Sequence, residues 1–110
     1  MSYFDTAQAQ RGARLYREHC AECHGVSLEH GPAVPLVGPA FAARWADNNL
    51  TADDLHYIVR TLMPQGAPGS LCEAAYVDLV AFLLQANGYP AGDEPLPADA
   101  QGRAARTLRR

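Results

Sequence analysis

Apolar residues recur at helical spacing in three long segments of the chain. The first segment runs from about Thr6 to Cys20 and follows Asp5 and Gln8, which stand at the spacing of a capping box. Gly12 lies inside this segment, where a glycine costs a helix about 1 kcal/mol relative to alanine. Either this glycine lets another helix cross closely, or it is tolerated without a purpose.

Start and stop signals predict two further helices. Thr51 is expected to cap the second helix, which ends at Met63-Pro64 because proline cannot continue a helix. Ser70 and Glu73 form a second capping-box pattern, which predicts that the third helix begins there. Gly88 is placed as the C-terminal stop of that helix.

The remaining segments are predicted to be loops and short turns. Closely spaced glycines and prolines indicate a loop over 25–38 and a tight loop over 65–69. The apolar stretch 39–45 predicts a brief helix, 89–97 is proline-rich, and 99–110 is expected to form a loose helix or to fray. No run of alternating apolar residues indicates a strand, so the predicted fold class is all-α.

Composition and charge restrict the classes of function. The chain has 110 residues, 48% hydrophobic and 19% charged, which fits one globular domain, and no stretch approaches the roughly 18 apolar residues of a membrane span. There is no lysine, and four of the nine arginines lie in the last eight residues. Positions 1–102 carry five arginines against twelve acidic residues, so nucleic acid is not an expected partner. This asymmetry either orients docking on another protein or is a soluble surface with a basic tail.

Residues 20–24, which read Cys-Ala-Glu-Cys-His, carry the clearest chemical signal. Two thiols three positions apart at a helix end face the same side, so Cys20 and Cys23 can both bond to the vinyl groups of one porphyrin. The imidazole of His24 then falls over the iron, and we predict covalently attached haem c. A zinc site would need a second pair of ligands, which the other histidines and Cys72 do not form. A redox-active dithiol would need a βαβ context.

Met63 is the candidate for a second axial ligand. It lies about forty residues after the motif, before a loop rich in proline and glycine, and the only other methionine is Met1. A low-spin haem iron needs a second axial donor, and a thioether also raises its reduction potential. The alternative is that Met63 fills a gap in the core, the commoner fate of a methionine. We favour ligation.

These residues resemble the class I c-type cytochromes. The resemblance rests on four patterns in order along the chain: Gly12-x-x-x-Tyr16-x-x-x-Cys20-x-x-Cys23-His24-Gly25, Pro35-Leu36-Val37-Gly38, Met63-Pro64, and Tyr76-Val77-Asp78-Leu79-Val80-Ala81-Phe82-Leu83. It implies a cytochrome c-like fold in which helices wrap around one covalently bound haem. The likeness covers about residues 6–88, which leaves 1–5 as an N-terminal extension and 89–110 as a Pro-rich and Arg-rich C-terminal tail.

The same resemblance implies contacts within the domain. The first and last helices are expected to cross, and the contacting residues would be Gly12, Tyr16, Leu79 and Phe82. A carbonyl group in the loop before the Leu-x-Gly pattern accepts a hydrogen bond from the haem histidine in this family. Either Val34 or Pro35 would supply that carbonyl here.

Several other side chains have two interpretations. Trp45, Arg44 and Tyr57 are candidates to donate hydrogen bonds to the haem propionates, since buried carboxylates need donors, and Trp45 is favoured over the other two. Cys72 is expected to be buried and inert, and a disulfide-linked dimer is the alternative. The remaining histidines are expected at the surface and not as ligands: His19, His30 and His56.

A closer likeness indicates a biological role. Residues 63–71, 85–90 and 96–99 look like the cytochrome domains and subunits that accept electrons from pyrroloquinoline-quinone alcohol dehydrogenases. This implies a periplasmic monomer, not an enzyme, that carries single electrons from a dehydrogenase to an oxidase or another cytochrome. No signal peptide is visible after Met1, and we expect one to have been removed. The alternative is a haem enzyme or small-ligand sensor with an open axial position.

Overall fold

The computed structural model describes residues 2–109, which form helices joined by loops. The helices are α1 Thr6–His19, α2 Ala21–His24, α3 Pro39–Phe41, α4 Ala52–Leu62, α5 Glu73–Ala86 and α6 Ala100–Ala104, and a π-helical turn over Ala42–Ala46 continues α3. The described residues form two isolated β-bridges and no β-strand, so the all-α fold class is confirmed. Over the same range, no helix is both long enough and apolar enough to cross a membrane.

Local side-chain chemistry fixes where α1 and α4 begin. The carboxylate of Asp5 accepts from the N–H of Gln8 at 2.8 Å, and the side chain of Gln8 accepts from the N–H of Asp5 at 3.2 Å. Thr51 and Asp54 form the same reciprocal pair at the start of α4. Each capping box satisfies N–H groups that the first turn leaves without helical partners. The predicted caps of both helices are confirmed.

The start of α5 differs from the prediction. Its N-cap is Cys72, which makes no side-chain capping hydrogen bond, and its first residue is Glu73. Ser70 belongs to the preceding loop, where its N–H donates to the carbonyl of Ala67 at 3.2 Å. The predicted capping box of Ser70 and Glu73 is therefore wrong, because backbone hydrogen bonds within the loop hold Ser70 away from the helix.

Helices α1 and α5 cross at Gly12. A side chain at this position would overlap the backbone carbonyl of Asp78 and the Cβ atom of Phe82. The rings of Tyr16 and Phe82 pack with 5.4 Å between their centroids, and Arg11 pairs with Asp78 at 2.9 Å beside the crossing. The close helix crossing is thus confirmed, and the glycine is not an idle one.

The segment that follows α5 packs across the domain as far as the structure describes it. Leu96 and Leu108 are buried. The N–H of Leu108 donates to the carbonyl of Leu50 at 2.8 Å, and the hydroxyl of Tyr89 donates to the carbonyl of Leu108 at 2.6 Å. A short helix, α6, forms within 99–110, as expected. The described part of this end is not loose or frayed, because burial of the two leucines holds it in place. The domain boundaries stay predictions.

His56 is buried, so the expectation that it lies at the surface is wrong. The C-terminal segment brings Arg103 onto α4, where its guanidinium pairs with Asp53 at 3.0 Å. Burial lowers the pKa of His56, and the positive charge of Arg103 lowers it further. Asp53 and Glu73 raise this pKa and Arg60 lowers it, and the net direction is down.

We expect the free energy of unfolding to fall more steeply on acidification in the wild type than in a His56→Gln variant. An unfolded histidine protonates near 6.5, whereas folded His56 protonates at lower pH. Between those values the unfolded state binds more protons, so the free energy of unfolding decreases as the pH is lowered, by at most about 1.4 kcal/mol per pH unit for one site. Denaturant titrations of the holoprotein between about pH 7.5 and 5.5 measure this slope.

The exposed His30 provides the matched control, since His30→Gln replaces a histidine far from the buried His56 in the sequence and leaves the Arg103–Asp53 pair intact. This control should keep the wild-type slope. Equal slopes for the wild type and His56→Gln would contradict the assignment of pH dependence to His56.

Candidate haem-binding site

A cavity of about 430 Å³ is lined by residues of α1, α2, α4 and α5 and of the segment between α2 and α4, and its wall is largely apolar. This volume lies in the usual range for small-molecule and cofactor sites. The wall includes six of the residues selected from the sequence: Cys20, His24, Val34, Pro35, Trp45 and Met63. The seventh, Cys23, lies within α2.

Cys20 and Cys23 lie where α1 meets α2. The N–H groups of Cys23 and His24 both donate to the carbonyl of Cys20, at 3.2 and 3.0 Å, so about one helical turn separates the thiols. Burial, with a smaller contribution from Cys23, raises the pKa of the Cys20 thiol to about 11. A redox-active dithiol needs a lowered pKa, which argues against that alternative. Within residues 2–109, no three His, Cys, Asp or Glu side chains are grouped as a metal ion would require.

The imidazole of His24 is buried and oriented by a backbone carbonyl. Its Nδ1 atom lies 2.7 Å from the carbonyl oxygen of Val34. A carbonyl only accepts, so Nδ1 carries the proton and Nε2 keeps the lone pair that a metal ion would need. Val34 or Pro35 was expected to supply the carbonyl that accepts from His24. Val34 supplies it, whereas Pro35 contributes to the cavity wall.

Asn87 fixes the loop that carries Val34. Its side-chain amide donates to the carbonyl of Leu36 at 2.9 Å and accepts from the N–H of Gly38 at 3.3 Å. Asn87 is buried at the C-terminal end of α5, so the loop is tied to a rigid helix. Sequence reasoning missed this role, because an asparagine before a glycine at a helix end is an ordinary stop signal.

Met63 lines the cavity immediately after α4 ends. Its N–H donates to the carbonyl of Val59 at 3.0 Å, and its backbone is extended. The side chain is half-buried on the cavity wall. A methionine that fills a core gap would be enclosed by apolar neighbours, so this position favours a ligand over a filler.

The π-helical turn brings Arg44 and Trp45 to the cavity wall. The guanidinium of Arg44 lies 4.2 Å from the centroid of the Trp45 ring, a cation–π contact. Both side chains carry N–H donors, which carboxylate groups entering an apolar site would need. Tyr57 is 56% exposed and is not part of the wall.

Cys72 is exposed, so the expectation that it is buried is wrong. It is the N-cap residue of α5 and follows the loop over 63–71, in which residues 65–70 are also exposed. A disulfide-linked dimer stays a prediction. His19 and His30 are exposed, as expected.

These groups fit a covalently held haem. An apolar wall suits the porphyrin faces, and Nε2 of His24 and the thioether of Met63 are donors that iron accepts. Arg44 supplies a positive charge to a wall that is otherwise largely apolar, which suits a cofactor with carboxylate groups.

A comparison with protein-family models gives an independent result. The model described as cytochrome c oxidase, cbb3-type, subunit III matches residues 7–83, a range that contains the Cys-x-x-Cys-His motif and Met63. The protein belongs to this cytochrome family. It is a class I c-type cytochrome, and its cofactor is covalently attached haem c with iron. Members of this family transfer electrons, so its partners are redox proteins.

Two further comparisons, with curated proteins and with solved structures, gave no match. The matched range of the cytochrome ends inside α5. Asn87 and the packed segment 89–109 therefore lie beyond it.

Proposed function

We propose that Cys20 and Cys23 hold the haem through thioether bonds and that His24 and Met63 are the axial ligands of its iron. The observation that carries this assignment is the hydrogen bond from His24 Nδ1 to the Val34 carbonyl, in a cavity that Met63 also lines. That hydrogen bond fixes the tautomer and the orientation of the imidazole and increases its basicity. A thioether as the second ligand favours a higher reduction potential.

The cytochrome then acts as an electron carrier and not as an enzyme. When bound, the haem supplies the one-electron chemistry. Leucines of α4 and α5, among them Leu55, Leu79 and Leu83, exclude water from the cavity. Trp45 and Arg44 would hold the carboxylate groups of the cofactor. With His24 and Met63 as its two ligands, the iron would have no position open to a substrate.

The partners are proposed from two likenesses. The family is named for a subunit of a cbb3-type cytochrome c oxidase, which supports an oxidase as acceptor, with another cytochrome as the alternative. The likeness to cytochromes that serve pyrroloquinoline-quinone alcohol dehydrogenases supports a quinoprotein dehydrogenase as donor. The periplasm suits both partners and the covalent attachment of haem. A monomer with small, short-lived interfaces fits repeated electron exchange.

Redox titration of the purified holoprotein, followed by exposure of the reduced form to carbon monoxide, tests the carrier function. We expect one reversible one-electron transition and slow carbon monoxide binding, because Met63 blocks the axial position. Immediate conversion of the spectrum by carbon monoxide would contradict the carrier and favour a haem enzyme or small-ligand sensor.

A further inference from the structure

The loop over 63–71 connects α4 to α5 and carries Met63 at its start. The carbonyl of Met63 accepts from the N–H of Gly69 at 3.3 Å, which is long for such a hydrogen bond. Met63 also lies beyond Leu62, the last residue of α4, and its side chain has three rotatable bonds. The N–H of Met63 is held by the carbonyl of Val59 at 3.0 Å, so it is the carbonyl side of Met63 that needs a contact from outside the loop if the sulfur atom is to keep one position.

Tyr76 of α5 supplies this contact. Its hydroxyl donates to the carbonyl of Met63 at 2.7 Å and accepts from the N–H of Leu71 at 3.3 Å. One phenolic oxygen thus joins the first and last residues of the loop to a rigid helix. Tyr76 is 1% exposed, so packing fixes its ring in place. It is not part of the cavity wall, so it acts on the site through Met63 and does not touch the haem.

We propose that Tyr76 is a positioning residue that keeps the Met63 sulfur on the iron, an inference that rests on the proposed axial ligation. Loss of the hydroxyl would leave the Met63 carbonyl with the longer bond from Gly69 and would release the N–H of Leu71. Local opening of the loop would then be more frequent, and the sulfur would spend more time away from the iron.

The variant Tyr76→Phe removes the hydroxyl and keeps the ring. In the holoprotein, we expect a weaker long-wavelength absorption band, the band that reports methionine sulfur bound to ferric haem. We also expect carbon monoxide to bind the reduced variant about fivefold faster, the factor that loss of one ordinary intramolecular hydrogen bond produces. Absorption spectroscopy and stopped-flow mixing measure the two effects.

Tyr89→Phe is the matched control. Tyr89 is also buried, and its hydroxyl also donates to a backbone carbonyl, that of Leu108 at 2.6 Å, but it is not part of the haem cavity wall. Both variants should unfold at a lower temperature than the wild type, whereas only Tyr76→Phe should change the band and the carbon monoxide rate.

Three outcomes separate the possibilities. Wild-type values of both readouts in Tyr76→Phe, with the band present in the wild type, would overturn the positioning role and leave axial ligation by Met63 intact. Equal changes in Tyr76→Phe and Tyr89→Phe would also overturn it, because general destabilisation would then explain them. Absence of the band from the wild type would overturn ligation by Met63 and the role of Tyr76 with it.

Discussion

Replacing Met63 with alanine is expected to make the reduced cytochrome bind carbon monoxide about 100-fold more readily. In the wild type, binding requires the minor state in which the sulfur has left the iron, and minor states of this kind are populated to about 0.1–10%. Alanine has no donor atom, so every molecule becomes competent to bind, and the apparent affinity rises by the inverse of that fraction. Titration and stopped-flow mixing with carbon monoxide measure the change.

Leu62→Ala is the matched control for this experiment. Leu62 precedes Met63, lines the same cavity and has no ligating atom, so its loss enlarges the cavity without removing a ligand. We expect Leu62→Ala to stay close to the wild type. If Met63→Ala binds carbon monoxide no faster than the wild type, or if both variants respond equally, Met63 does not occupy the axial position.

Substitution of Gly12 by alanine is expected to destabilise the protein by about 3 kcal/mol, the upper part of the usual range for overpacking. Helix propensity alone predicts the opposite sign, a gain of about 1 kcal/mol. Packing dominates because the new Cβ atom would overlap the carbonyl of Asp78 and the Cβ of Phe82, and a backbone atom in a packed helix cannot move aside easily. Denaturant unfolding of the holoprotein gives the difference.

The control is Gly66→Ala, since a Cβ atom at Gly66 would meet no neighbouring atom within 4 Å. This variant should change the free energy of unfolding by less than about 0.5 kcal/mol, as surface substitutions usually do. A Gly12→Ala variant as stable as the wild type would show that α1 and α5 do not pack as closely as the structure indicates.

Elements governed by local chemistry could be predicted from the sequence. The capping boxes of α1 and α4 need only residues three positions apart, and Asp5 and Thr51 stand at their predicted places. The start of α5 could not be predicted in this way. A capping box of Ser70 and Glu73 would require Ser70 to lie at the start of the helix. Instead, backbone hydrogen bonds and the contact of Leu71 with Tyr76 keep this segment in the loop.

The packing of the C-terminal segment also depends on distant partners. The side chain of Gln8 accepts from the N–H of Leu96 at 2.7 Å and donates to its carbonyl at 3.0 Å, although the two residues are 88 positions apart. Single leucines such as Leu96 and Leu108 form no periodic pattern among prolines and arginines, so their burial left no signal. The burial of His56 follows from the same packing, because Arg103 reaches α4 from this segment.

The candidate site also contains residues that the sequence predicted and residues that it did not. The Cys-x-x-Cys-His motif is visible because its chemistry fixes residue types and spacing together, and the structure brings His24 and Met63 to one cavity. The roles of Tyr76 and Asn87 could not be predicted, because both side chains donate to backbone carbonyls and every residue type has a carbonyl. Asn87 reaches a carbonyl 51 positions away, that of Leu36.

The absorption spectrum of the purified ferric protein tests axial ligation by His24 and Met63 most directly. We expect the weak long-wavelength band of methionine sulfur bound to ferric haem in the wild type, and its loss in Met63→Ala while the haem stays covalently attached. A wild-type spectrum without this band, or a band that survives in Met63→Ala, would contradict ligation by Met63 and the electron-carrier function built on it.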